Sequence, residues 1–181
     1  MRSLEPILQQ FGEYVVSQSR LNLTKGGYKS KGHNASGSLS KSLAYTTEEV
    51  SEGRWIVEFL MELYGQYVDK GVSGTEVSRD TPYRFRSKGG KQGLKGMPPP
   101  SAFDQWRIRR GIAPRDEKGR FLPRKAANFA IARSVFKKGI KPSLFFTKPF
   151  EAAFKDLSMT LLDGFELEIR KTFNKMENGK N

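Results

Sequence analysis

Ser42-Leu43-Ala44-Tyr45-Thr46-Thr47-Glu48-Glu49-Val50, then Ser51-Glu52-Gly53-Arg54, then Trp55-Ile56-Val57-Glu58-Phe59-Leu60-Met61-Glu62-Leu63 is the stretch on which the fold turns. Its two outer runs are rich in strand-forming residues, among them Tyr45, Val50, Trp55, Ile56, Val57 and Phe59. The four residues between them are turn chemistry with a central glycine, so the spacing predicts an antiparallel hairpin with strands over 42–50 and 55–63. Glu48, Glu49 and Glu52 fall at its tip, while Glu58 and Glu62 alternate with apolar positions as a solvent-facing row does. Paired carboxylates can perform acid–base chemistry or hold Mg²⁺. Here the hairpin pattern scatters them, which favours a surface role.

Upstream, Leu4, Ile7, Leu8, Phe11, Tyr14 and Val15 recur at three- and four-residue spacing and predict a helix over 3–20. Pro6 is tolerated in its first turn, where no backbone donor is lost. Residues 24–38 are Gly, Ser, Lys and Asn with little to bury, and read as a mobile loop in which the single histidine, His33, is a solvated side chain. Downstream, Tyr64-Gly65-Gln66-Tyr67-Val68-Asp69-Lys70-Gly71 reads as a strand end or tight turn opening onto a surface. Residues 73–99 lack periodicity and run into Pro98-Pro99-Pro100; a loop of that length is functional or disordered in isolation. Ser101 with Asp104 has the spacing of a capping box for a short helix containing Phe103, Trp106 and Ile108 and ending at Gly111. A polar turn region over 115–124 leads to a helix over 126–138, with Ala127, Ala130, Ile131 and Val135 along one side and Gly139 at its end. Lys141 to Phe146 is an extended connector. A last helix, starting at 148–150 and reaching about Asn174, carries Phe154, Leu157, Leu161, Phe165 or Ile169, and Phe173 on one stripe, with Gly164 weakening it.

Helix, hairpin, long insertion and long helix make an α+β chain, an antiparallel sheet built around a β-hairpin and packed by N-terminal and long C-terminal helices. At 181 residues it reads as a single domain. Its core spans 1–72 and 139–175, its basic insertion 73–138 and its flexible tail 176–181.

No window approaches the length of an apolar membrane span, and the N-terminus lacks a signal-peptide pattern, so no membrane partner is expected. Without cysteine there is no disulfide framework, thiolate zinc site or Cys nucleophile, and one histidine leaves little for metal chemistry. No cofactor, metal or catalytic residue is expected. The formal charge of +13 is local. Residues 1–83 carry nine basic and ten acidic side chains and 126–181 ten and six, whereas 84–125 carry thirteen and three, a net of +10. That patch comprises Arg84, Arg86, Lys88, Lys91 and Lys95 before the prolines, then Arg107, Arg109, Arg110, Arg115, Lys118, Arg120, Arg124 and Lys125, interleaved with Phe85, Phe103, Trp106 and Phe121. It suits three fates: solvated charge on an extended loop, phosphate neutralisation on DNA without sequence preference, or an acidic protein surface. Lys88-Gly89-Gly90-Lys91-Gln92-Gly93-Leu94-Lys95-Gly96 lacks the spacing of a phosphate loop and reads as a basic arm.

Three short motifs carry a resemblance. Gly37-Ser38-Leu39-Ser40-Lys41-Ser42-Leu43 enters the hairpin. Tyr64-Gly65-Gln66-Tyr67-Val68-Asp69-Lys70-Gly71 follows it. Lys141-Pro142-Ser143-Leu144-Phe145-Phe146-Thr147-Lys148-Pro149-Phe150 leads into the last helix. In this order, over most of the chain, they resemble the tail-completion or head–tail joining (neck, minor capsid) proteins of tailed bacteriophages. The insertion is longer and more basic than that pattern has, and Lys70 stands where an aromatic is usual.

The resemblance implies a non-enzymatic virion protein assembled in the host cytoplasm. It implies a homo-oligomeric ring, hexamer or dodecamer, around the DNA channel of the neck or tail, with other phage neck, portal or tail proteins as partners and possible non-specific contact with genomic DNA. Tyr64, Tyr67, Trp106, Leu144, Phe145 and Phe146 are the expected interface anchors, with a core role open for the tyrosine segment and the connector. The first alternative is a non-sequence-specific nucleic-acid-binding protein. A metal-dependent nuclease using Glu48, Glu49 or Glu58 ranks below it, since those acids do not converge.

Overall fold

A computed structural model of the chain describes residues 4–25 and 36–161. The stretch carrying His33, and the last helix beyond residue 161 with Gly164, Phe165, Ile169 and Phe173, lie outside the described residues. Helix α1 (Leu4–Lys25) is followed by a five-residue α2 (Ser38–Ser42), then β1 (Ala44–Ser51) and β2 (Arg54–Leu60). After them come α3 (Gly65–Lys70), α4 (Asp104–Arg109), α5 (Arg124–Lys138) and a helix over 147–161, here α6. The class is α+β, with one two-stranded antiparallel sheet among the described residues.

The hairpin forms where expected, with strands shorter at their outer ends. Tyr45 pairs with Phe59, Thr47 with Val57 and Glu49 with Trp55, so these side chains share one face by the two-residue period of a strand. That face meets the helices. Ser42, read as strand, instead ends α2, donates from its hydroxyl to Leu39 O (3.0 Å) and accepts from Glu62 N (3.1 Å). Gly37 takes positive φ before α2, and Leu39 and Leu43 are buried. Gly37, Leu39, Ser42 and Leu43 of that entry motif therefore each have a local structural task.

Helix α1 runs five residues beyond the expected Arg20 because Leu23 remains on the apolar face and is buried. Its buried positions are Phe11, Gly12, Val15, Val16, Ser19 and Leu23, while Tyr14, expected among them, is exposed. Gly12 allows the close approach to the sheet: a Cβ there would lie 2.2 Å from the Tyr45 ring. Two adjoining clusters result. One joins Val16, Leu23, Leu39, Leu43 and Phe145; the other joins Phe11, Val15 and Ala153. Phe59 and Phe146 border both, and Phe11, Phe59, Phe146 and Phe150 meet mainly edge to face at 5.3–5.9 Å between ring centroids. Such contacts contribute about 0.5–1.5 kcal/mol each beyond burial.

Helix α6 packs through Phe150, Ala153 and Leu157, so the expected stripe holds at Leu157 but not at Phe154. Phe154 stacks on Phe150 but stays exposed. The helix enters from Leu144, whose φ of 53° is unusual for a side-chain-bearing residue. That local turn sets the rotation of α6, and helical periodicity alone cannot announce it.

Candidate functional site

The tyrosine segment is not a strand end. Residues 65–70 close into α3, with Val68 N donating to Tyr64 O at 3.2 Å. Gly65 is required by packing, since a Cβ there would stand 2.7 Å from Met61 Sδ. The turn of helix delivers Asp69 into the interior, where it is 3% exposed. One carboxylate oxygen accepts from Phe146 N (2.9 Å) and Thr147 N (3.1 Å), and the other from the Thr147 hydroxyl. Asp69 thus caps α6, satisfying donors that the first turn of a helix leaves free. Ser143 reinforces the junction: its N–H and hydroxyl both donate to Val68 O, at 3.1 and 2.8 Å. The tyrosine segment and the proline-containing connector are one unit in space.

That unit closes the base of the insertion. Val72 and Ile140 exchange backbone hydrogen bonds of 2.9 and 2.8 Å. At Gly74 a Cβ would fall 1.9 Å from Lys137 O, and at Gly139, with φ of 74°, it would fall 2.1 Å from Val72 O. Only glycine permits two backbones this close. Ser73 N donates to Tyr83 O (2.8 Å), Phe85 N to Ser73 O (2.9 Å), and the Thr81 hydroxyl to Gly71 O (3.0 Å). Segment 73–85, read as loop, is therefore held by backbone and hydroxyl bonds rather than by a regular element.

These bonds bring Tyr83 against Tyr67, with ring centroids 4.7 Å apart and nearly perpendicular, and Tyr83 Oη donates to Gln66 Oε1 at 2.8 Å. The result is a cleft of about 590 Å³ between α3 and the root of the insertion. Tyr64, Tyr67, Tyr83 and Phe85 supply its walls and Arg84 and Arg86 its charge; no carboxylate lines it. Arg84 donates to Ser78 Oγ at 3.3 Å.

The insertion beyond the cleft divides the basic patch by use. Asp104 begins α4 instead of closing a capping box; the expected cap Ser101 sits in a 3₁₀ turn over Pro100–Phe103 and forms no side-chain cap. The Asp104 carboxylate is turned to Arg124, which forks onto both its oxygens, and to Asn128 Nδ2 at 3.1 Å. Those hydrogen bonds, from Arg124 first and Asn128 second, hold the Asp104 carboxyl below the usual carboxylate value, and the same pairing raises Arg124. Arg107 donates to Asn128 Oδ1 and Ile112 O, Arg120 pairs with Asp116, and Arg115 donates to Gly119 O while lying 4.0 Å above the Phe121 ring. These three cations, with Arg124, build the insertion. Arg86, Lys88, Lys91, Lys95, Arg109, Lys118 and Lys125 are exposed and make no ion pair among the described residues.

Helix α5 buries Ala127, Asn128, Ala132 and Phe136, with Phe85 against Phe136, whereas Ala130, expected on that face, is exposed. Of the expected anchors, Tyr64, Tyr67 and Trp106 are surface aromatics, Leu144 is half-buried, and Phe145 and Phe146 belong to the core. No group of three or more metal-ligating side chains, and no helix long and apolar enough to cross a membrane, occurs among the described residues.

The outer face of the hairpin was only half legible. Glu58 is there as expected, but Ile56 and Leu60 lie beside it, 40% and 50% exposed, followed by Leu63 at 85%. Sequence alternation was consistent with that placement. Burial of only one sheet face leaves these residues in water. No family model, curated protein or solved structure matches this chain.

Proposed function

We propose that this chain is a non-catalytic building block of a phage virion, a subunit of a ring in the neck or tail that joins head to tail around the DNA channel. The observation that carries the reading is the unfinished sheet. Among the described residues the two strands pair only with each other, and Ile56, Leu60, Leu63, Tyr64 and Tyr67 are exposed large apolar and aromatic side chains along β2 and just beyond it, interspersed with Glu58 and Glu62. A two-stranded sheet is marginal alone, and open edges beside exposed apolar side chains are what assembly covers.

The motif resemblance supplies the phage context, and the Asp69 junction between α3 and α6 gives two of its three motifs a common structural task. Removing the gene from its phage tests the role: lysates are expected to contain filled heads and tails that remain separate by electron microscopy. Normally joined particles would overturn it.

A second reading is favoured by the seven exposed cations of the insertion that make no ion pair among the described residues, which suit non-specific nucleic-acid binding. It predicts solution affinity for DNA that falls steeply with salt. In a ring the same cations face the passing genome or an acidic neighbour.

A further inference from the structure

The hairpin and the cleft are electrostatic opposites. Residues 44–63 contain Glu48, Glu49, Glu52, Glu58 and Glu62 against the single cation Arg54. None of these acids forms an ion pair among the described residues; the pairs there join Asp116 to Arg120, Asp104 to Arg124, Glu76 to Lys137 and Glu151 to Lys148. The cleft has Arg84 and Arg86 between aromatic walls and no carboxylate among its lining residues. Arg86 has no side-chain partner among the described residues, and Arg84 has only the Ser78 hydroxyl. Opposite charges that have no ion pair among the described residues are suited to pairing between copies.

We propose that the acidic hairpin tip of one copy seats in the arginine–tyrosine cleft of the next, so that Glu48 and Glu52 meet Arg84 and Arg86 and Val50 packs on the tyrosine walls. The proposal rests on the ring reading above and specifies which surfaces close the ring. Val50 is exposed at the tip, and the tip is narrow, since Glu49 accepts Gly53 N at 3.1 Å and folds the turn upon itself. The cleft volume lies in the range of about 300–1,000 Å³ typical of sites that enclose a few groups rather than a duplex. Because hairpin and cleft are different surfaces, the contact is heterologous and propagates head to tail, closing into a ring when the rotation per subunit permits.

Charge reversal tests this directly. In full-length protein, Glu48→Lys with Glu52→Lys reverses the hairpin, and Arg84→Glu with Arg86→Glu reverses the cleft. Each variant, checked for folding by circular dichroism, should self-associate at least about tenfold more weakly than the unmodified chain. Mixed in equal amounts, reversed hairpins can face reversed clefts at one contact and native hairpins native clefts at the next, so that every contact of an alternating chain is complementary. Association should then return, as rings with an even number of subunits in alternation.

Single variants that still form rings, or a mixture of folded variants that stays monomeric, overturn the contact while the ring reading stands. An unmodified chain that remains monomeric at every concentration and beside neck proteins overturns both. Should either variant fail to fold, rising salt on the unmodified chain replaces it: dissociation of rings is expected, and rings indifferent to salt refute the pairing.

Discussion

Replacing Asp69 tests how the two ends of the core are joined. In Asp69→Ala, Phe146 N and Thr147 N lose their acceptor inside the protein, and the Thr147 hydroxyl loses its own. Loss of a helix cap costs about 0.5–2 kcal/mol, and each buried donor left unsatisfied about 1–3 kcal/mol, the two overlapping in part. A net loss of about 3 kcal/mol follows, or about 6–12 °C in melting temperature for a chain of this length. Asp69→Asn retains an amide oxygen for both backbone donors, and the Thr147 hydroxyl can accept from the new amide. What it loses is the carboxylate's interaction with the start of α6, about 0.3–1 kcal/mol. Urea titrations followed by the fluorescence of Trp55 and Trp106 and by far-ultraviolet circular dichroism measure both. An Ala variant within about 0.5 kcal/mol of the parent, or an Asn variant as damaged as the Ala one, would refute the capping account.

Four further outcomes are expected. Gly74→Ala and Gly139→Ala force a Cβ into the opposing backbone and should cost about 3 kcal/mol or more, opening 84–125 to limited proteolysis. Gly53→Ala, with positive φ but nothing within 4 Å, should cost only about 1–2 kcal/mol in the same titration. Asp104, with its folded value depressed below the ordinary 3.8, contributes stability that is complete above that value and lost as pH falls through the lower folded one. Acid titration of Trp106 fluorescence should therefore show a limb below about pH 4 that Asp104→Asn flattens. Finally, replacing Lys88, Lys91 and Lys95 by alanine should reduce the slope of log affinity for DNA against log salt by about 2 to 3, read by fluorescence polarisation; an unchanged slope would remove this arm from any DNA contact.

The hairpin, α1 and α5 were legible because a strand period of two and a helix period near 3.6 leave a mark in the order of apolar residues. Tyr64 to Gly71 was not. A six-residue helix is too short to show a period, and α3 exists because Asp69 has α6 to cap and Gly65 has Met61 to accommodate. The first position of the α6 stripe was misplaced, with Phe150 and Ala153 packing where Phe154 was expected, because the helix enters through the positive φ of Leu144, a tertiary outcome. Asp104 satisfied a capping-box spacing, yet Arg124, twenty residues on, claimed its carboxylate.

The basic patch was visible as composition. Which of its members build the insertion and which remain exposed depends on partners such as Asp116 and Asn128, so it was not. Nor was the cleft, whose walls come from two segments joined by the hydroxyls of Thr81 and Tyr83.

The mass and symmetry of the purified chain, alone and mixed with portal and tail proteins, bear most directly on the claim that it is a ring subunit. Light scattering with negative-stain imaging should find closed rings of six or twelve copies, or incorporation into a neck of that symmetry. A monomer that ignores those proteins yet binds DNA with a steep salt dependence would contradict it.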